Sequence, residues 1–253
     1  RSAVPPEFSE VWWDRAPLVP PYLVPAIPQQ RLLSLSSYIR DFGSLSMFFS
    51  IEGGDGTGKS TQVQLLSQWL QAVGQEVVAC RDPGSTRLGE AVRQIVLHGH
   101  DLEIGRCSEM LLYMAARAQL TEEVIRPALA SGKIVISDRY LLSNVVYQGY
   151  GGGLDIASLW QVGLVATAGL LPDLTIVLDL PTEKAASRLK GTPDRMEQQG
   201  DAFHRRVRQG FLDEAARQPD RIATVSAEAP IEAVQESIRR VAAARLREGG
   251  VVV

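Results

Sequence analysis

Residues 53–60 read Gly-Gly-Asp-Gly-Thr-Gly-Lys-Ser and satisfy the spacing G-x-x-x-x-G-K-[ST] at every position. Glycines at such a turn let the backbone curl until its N–H groups point inward at phosphate oxygens. The amphipathic stretch that follows would start a helix there, and a helix N-terminus favours an anion. Lys59 would reach the β- and γ-phosphates of a nucleoside triphosphate, and Ser60 would offer its hydroxyl to Mg²⁺. The expected donor site is therefore Gly53, Gly54, Asp55, Gly56, Thr57, Gly58, Lys59, Ser60 and Thr61.

Two further cations stand where a second anion could bind. Arg81 opens Arg81-Asp82-Pro83-Gly84-Ser85-Thr86, and Arg139 sits in Asp138-Arg139-Tyr140; each segment follows an apolar run. In a sheet of parallel strands, ligands sit at the carboxyl ends. Two arginines from neighbouring strand ends can clamp one phosphate in a bidentate fashion. Either Arg alone could instead pair with the Asp beside it. The Asn-Lys-x-Asp signature of guanine-reading switches is absent, because the single asparagine, Asn144, is followed by Val145. His98, His100 and His204 have no constellation around them and read as surface or packing residues.

The elements that must position these residues alternate in type. Apolar strands are expected over 48–52, 76–80, 133–137, 174–178 and 222–225. Helices are expected over 59–73, 88–97, 108–130, 141–148, 156–168, 182–189, 202–217 and 231–247. Short, near-continuously apolar strands alternating with helices imply a sheet covered on both faces. The fold class expected is α/β: a three-layer P-loop fold with a central five-stranded parallel sheet flanked by helices.

Composition narrows the class. The chain has 253 residues, a net charge of -3 and 45% apolar residues, which fits one α/β domain and gives no basic surface for a nucleic acid polymer. Cys80 and Cys107 form neither a disulfide framework nor a metal spacing, so both are expected as reduced thiols in the cytoplasm. No apolar run reaches the roughly 18 residues of a membrane helix. Residues 1–46 hold seven of the 14 prolines and show no sustained period. With Arg1 at its head, this stretch is expected to be an appendage of little structure, upstream or expression-derived, ahead of a kinase domain over 47–253. The alternative is an extension that docks through Trp12, Trp13 and Tyr22.

Five segments in order, Gly53–Thr61, Arg81–Glu90, Leu111–Arg117, Asp138–Gly149 and Asp194–Glu197, make the chain from Met47 to about Leu246 resemble thymidylate kinase. That resemblance implies transfer of the γ-phosphate of ATP to dTMP, with Mg²⁺, toward dTTP synthesis, in a cytoplasmic homodimer. It implies that Asp55 accepts a hydrogen bond from the sugar 3′-hydroxyl. Arg81 and Arg139 would hold the acceptor phosphate. Tyr113 would stack on the base with Arg117 at its edge; on residues alone, Tyr113 could be ordinary core. Ser143, Asn144 and Gln148 would face the nucleotide, and Tyr147 would crowd the 2′ position. Lys59, Arg139 and Asp55 would join the catalytic group. The family commonly shows Glu and Gly where this chain has Asp82 and Ser85. Some relatives carry an Arg at Gly56. With Gly there, the resemblance moves the catalytic charge to a short lid over 189–200, with Arg195 first and Lys190 or Arg188 behind it. Other small-molecule P-loop kinases, and a regulatory nucleotide-binding module, are the competing readings. An acceptor panel separates them.

Overall fold

The computed structural model describes residues 46–99, 102–189 and 193–251, so the expectations for 1–45, His100 and Lys190 lie outside the described residues. Five strands form one sheet: β1 (Phe48–Gly53), β2 (Val77–Arg81), β3 (Ile134–Asp138), β4 (Leu174–Asp179) and β5 (Ile222–Ser226). Their order is β2-β3-β1-β4-β5 and every pairing is parallel, as the alternating pattern requires.

Each central strand is buried on both faces, and the period of two sorts its side chains between them. Phe49 and Ile51 join Ile134, Ile136, Ile176 and Leu178 on one face. Helices α1 (Lys59–Ala72) and α9 (Ile231–Glu248) cover that face with Leu66, Leu70, Ile238 and Leu246. Phe48, Val135 and Val177 point the other way. There they meet α2 (Arg87–Arg93), α3 (Arg106–Leu120), α4 (Arg126–Ala130), α5 (Leu141–Asn144), α6 (Ile156–Ala166) and α8 (Asp201–Arg217). The remaining helix, α7 (Thr182–Arg188), follows β4.

The strands lie one residue later than expected at β2 and β3, so Arg81 and Asp138 are the last residues of their strands. They are register partners. Three helices are less regular than their apolar spacing suggests. Wide π-type turns cover Gln94–His98 after α2, Thr121–Ile125 after α3 and Val145–Gly151 after α5. Such turns insert an extra residue per turn and recur at functional sites. The last of them carries Tyr147 and Gln148. Thr86 caps α2 by accepting from the Gly89 N–H at 2.9 Å, which fixes where the loop after Arg81 ends.

Candidate active site

β1 delivers the P-loop. At Gly53, φ is +133° and an added Cβ would lie 2.5 Å from the Leu178 carbonyl, so only glycine lets the loop leave the sheet beside β4. The loop folds over its own lysine: Lys59 Nζ donates to the Gly54 carbonyl at 2.7 Å. Burial, with the nearby Arg139 charge, lowers the Lys59 pKa to about 8, against the pull of Asp55, Asp138 and Glu52. Ser60 Oγ donates to Asp138 Oδ2 at 2.5 Å, joining the start of α1 to the end of β3.

Arg139 is the hub of the cleft. It occupies the left-handed region at φ 68°, which orients it back across the P-loop. Its backbone N–H donates to the Ile51 carbonyl at 3.0 Å. Its guanidinium donates to the Gly53 carbonyl at 2.9 Å, Ser143 Oγ at 3.0 Å and Tyr147 Oη at 3.1 Å, and pairs with Asp55. Tyr147 in turn donates to Asp55 Oδ2 at 2.7 Å. Burial acts to raise the Asp55 carboxyl, but Arg139, Lys59 and the Tyr147 hydroxyl outweigh it and hold the group at about 2. Beneath this hub, Glu52 accepts from the Tyr140 N–H at 2.7 Å and from the Ser143 hydroxyl. Burial pushes Glu52 up to about 7 despite those hydrogen bonds and the charges of Arg139 and Arg117.

A second cavity opens on the other side of Arg139. Tyr113 and Arg117, one turn apart on α3, both line it, as do Ser143, Asn144, Tyr147 and Gln148. Arg117 is buried; its Nε donates to Asp82 Oδ2 at 2.6 Å and its Nη1 to Asn144 Oδ1 at 2.9 Å. The other Asp82 oxygen, Oδ1, is buried without a partner, and burial pushes the Asp82 carboxyl upward against Arg117. The P-loop bounds the first cavity, with Lys59 and Ser60 in its wall. Asp55, Asp82, Arg93 and Arg139 line both, so the spaces adjoin.

The structure brings most of the expected residues to these two cavities and leaves a few apart. Asp55, Gly56, Gly58, Lys59, Ser60 and Thr61 line the first cavity, while Gly53, Gly54 and Thr57 do not, Thr57 Oγ1 instead donating to the Gly54 carbonyl at 2.9 Å within the loop. Arg81 also lines it, but its side chain is 47% exposed and forked onto both Glu90 oxygens at 3.0 and 3.2 Å. Its ion-pair partner is therefore Glu90, not the adjacent Asp82. Arg195 turns away from the P-loop, donating to the Val96 carbonyl at 3.0 Å and facing Glu109 at 3.6 Å. Arg188 donates to the Ala227 carbonyl.

Sequence reasoning missed Arg93, which reaches both cavities from α2 and donates to the Pro83 carbonyl at 3.1 Å. A signal existed. Gly89, Arg93, Val96 and Leu97 follow the i, i+4, i+7, i+8 spacing of an inward face, and an arginine there must meet something polar.

Known proteins resemble this chain over most of its length. The family model described as thymidylate kinase matches residues 51–238. A thymidylate kinase of Clavibacter sepedonicus is 48% identical over 198 residues, 76% of this chain and 92% of that one. One of Rhodopirellula baltica is 46% identical over 189 residues, 75% and 77% of the two chains. The crystal structure of thymidylate kinase from Ehrlichia chaffeensis superposes with a TM-score of 0.64 at 32% identity, covering 78% of this chain and 98% of its own. With a complete P-loop, a second cavity sharing its arginines and these relatives across most of its length, the chain belongs to the thymidylate kinase family.

Proposed function

We propose that the P-loop cavity holds ATP and the second cavity holds dTMP, with the two phosphate ends meeting at Arg93 and Arg139. The chain is a nucleoside monophosphate kinase that converts dTMP to dTDP, a step of dTTP synthesis. The observation that carries the residue-level reading is the sharing of Asp55, Asp82, Arg93 and Arg139 between the cavities. An acceptor phosphate is largely dianionic near neutral pH, since its second pKa is about 6. It needs no general base. Its oxygen attacks the γ-phosphorus in line, the bond to the β–γ bridging oxygen breaks, and ADP leaves. The obstacle is bringing two polyanions together, so positioned positive charge is what the protein supplies. Lys59 serves the donor and Arg139 stands between donor and acceptor. Arg93 takes the acceptor-side part first expected of Arg81, which is half exposed and paired with Glu90.

The Ser60 hydroxyl and the Asp138 carboxylate, 2.5 Å apart in the P-loop cavity, are an all-oxygen pair of the kind Mg²⁺ takes alongside substrate phosphates and water. Those residues fit the ion and would hold it. Bound there, it would neutralise phosphate charge. Asp55 engages Arg139 and Tyr147, a pairing that supports its use in fixing the sugar end. Helices α3 and α6, packed on one another, leave Leu111 and Val165 exposed; this supports a homodimer. Two unpaired thiols, Cys80 and Cys107, support a cytoplasmic location.

An acceptor panel tests the reading. With ATP as donor, dTMP is expected to be best, dUMP poorer, UMP poorer still, and AMP and GMP near background. A missing methyl is worth only about 1–3 kcal/mol, so the dTMP–dUMP step is the small one. A purine monophosphate outperforming dTMP would overturn the assignment of the second cavity.

A further inference from the structure

One line of polar side chains runs from the acceptor cavity to the turn at Asp194–Glu197. Arg117 Nη1 donates to Asn144 Oδ1 at 2.9 Å, Asn144 Nδ2 to Gln148 Oε1 at 2.7 Å, and Gln148 Nε2 to Glu109 Oε1 at 3.0 Å. The second Glu109 oxygen faces Arg195 Nη2 at 3.6 Å. Arg195 also ties its turn to the π-type turn after α2, through its backbone N–H to the Leu97 carbonyl at 3.1 Å and its Nη1 to the Val96 carbonyl. Asp194 stiffens the same turn by accepting from the N–H groups of Met196 and Glu197 at 2.8 and 2.9 Å. That turn walls both cavities: Asp194 and Met196 line the acceptor side, Glu197 the P-loop side.

The two ends of this line dictate its polarity. Arg117 can only donate, and an ionised Glu109 can only accept. The amides between them are ambivalent by themselves. With a carboxylate at one end, Gln148 must turn its NH₂ toward Glu109 and its oxygen toward Asn144. Asn144 must then turn its NH₂ toward Gln148 and its oxygen toward Arg117. Flipping either amide would set donor against donor or acceptor against acceptor in a buried site, where an unmade hydrogen bond is costly.

We propose that Glu109 is a positioning residue: with Arg117 at the other end it fixes the orientation of the Gln148 and Asn144 amides that face the acceptor's base, and through Arg195 it holds the turn that walls both cavities. The inference rests on the reading of the second cavity as the dTMP base site. A base with an imide edge and one with an amino group beside a ring nitrogen acceptor present opposite patterns. A frozen amide separates them, whereas a freely turning one does so weakly.

The test uses the full chain with saturating ATP and Mg²⁺, and measures kcat and KM for dTMP and for dCMP, together with Tm. Glu109→Gln keeps shape but can donate as well as accept, and Glu109→Ala removes the anchor. Both are expected to lower the dTMP/dCMP ratio of kcat/KM by about tenfold, mainly through a higher dTMP KM. Tm should stay within a few degrees, because Glu109 is a single side chain at the rim of the core. Arg195→Ala leaves the amide line intact; it should raise the KM for both acceptors and leave their ratio unchanged. A Glu109→Gln enzyme with wild-type ratio and dTMP KM overturns the proposal, as does one that loses only Tm. Asn144→Ala separates the two levels. If it raises dTMP KM while the Glu109 variants do not, the Glu109 inference alone fails. If Asn144→Ala leaves dTMP KM unchanged, the base-site reading fails and the inference with it.

Discussion

Glu52 is a fully buried carboxyl group at the next-to-last position of β1, and it holds the turn that carries Arg139. Burial raises it from 4.5 to about 7. Between those values the folded protein keeps a proton that the unfolded chain releases, so stability falls as pH rises through the window. Below about 4.5 the contribution is fully present, and above about 7 it is gone. Neighbouring groups titrate elsewhere: Asp55 near 2, where its stabilisation is lost as pH falls, and Lys59 near 8. Glu52→Gln keeps an acceptor for the Tyr140 N–H and removes the titration. Thermal melts from pH 5 to 7.5 should show wild type losing stability relative to the variant by an amount on the order of 2 kcal/mol. Groups common to both proteins, such as Asp82 and Glu197, cancel in that difference. Parallel curves would mean that Glu52 titrates as an ordinary carboxylate.

At the scale of elements, the P-loop and α7 are pressed together at one point. Gly56 has φ +77°, and a Cβ there would lie 2.2 Å from the Ala185 carbonyl. The obstacle is helix backbone, so no rotamer change relieves it. Gly56→Ala is therefore expected to shift α7, lower Tm by several degrees and raise the KM for ATP several-fold while changing dTMP KM little. Unchanged melting and kinetics would show that α7 yields freely. The same contact gives a physical reason why a P-loop arginine does not fit here, a point that the glycine alone did not carry. What could be read from sequence was local. The P-loop needs its residues in one run, the strands announce themselves by continuous apolar stretches, and Arg139 follows such a stretch directly. The π-type turns were invisible because no residue pattern distinguishes them from the helices they interrupt. Arg93 and Glu109 were missed for another reason. Each is a charged residue on an amphipathic helix; for Arg93 the spacing marks the inward face but not the partner, and for Glu109 only the folded packing brings Gln148 and Arg195 near. Arg81 shows the converse, since its place at a strand end was right and its partner, Glu90, lies nine residues on, across a cap that only the folded loop brings near.

Across the whole molecule the charges of the cleft nearly cancel. The P-loop cavity is lined by Lys59, Arg81, Arg93 and Arg139, and against them by Asp55, Asp82, Asp138 and Glu197. The chain as a whole carries -3. A triphosphate entering such a cavity meets no large surplus of protein cations, so further positive charge must come with it, and the oxygen pair of Ser60 and Asp138 is where a divalent ion fits. The acceptor side carries Arg93, Arg117 and Arg139 against Asp55, Asp82 and Asp194, but its carboxylates are already engaged: Asp55 by Arg139, Asp82 by Arg117, and Asp194 by the N–H groups of Met196 and Glu197. A monophosphate can bind there on protein charge alone. Thermal shift with and without EDTA distinguishes the two halves. With Mg²⁺ present, either nucleotide at about 100 times its Kd should stabilise the fold by about 2.7 kcal/mol, or roughly 5–10 °C in a domain of this size. Chelation is expected to abolish turnover and remove most of the ATP shift while leaving the dTMP shift within a degree or two. If the ATP shift survived EDTA in full, Lys59 and the arginines would suffice for the triphosphate, and the balanced-charge account of the cleft would be wrong.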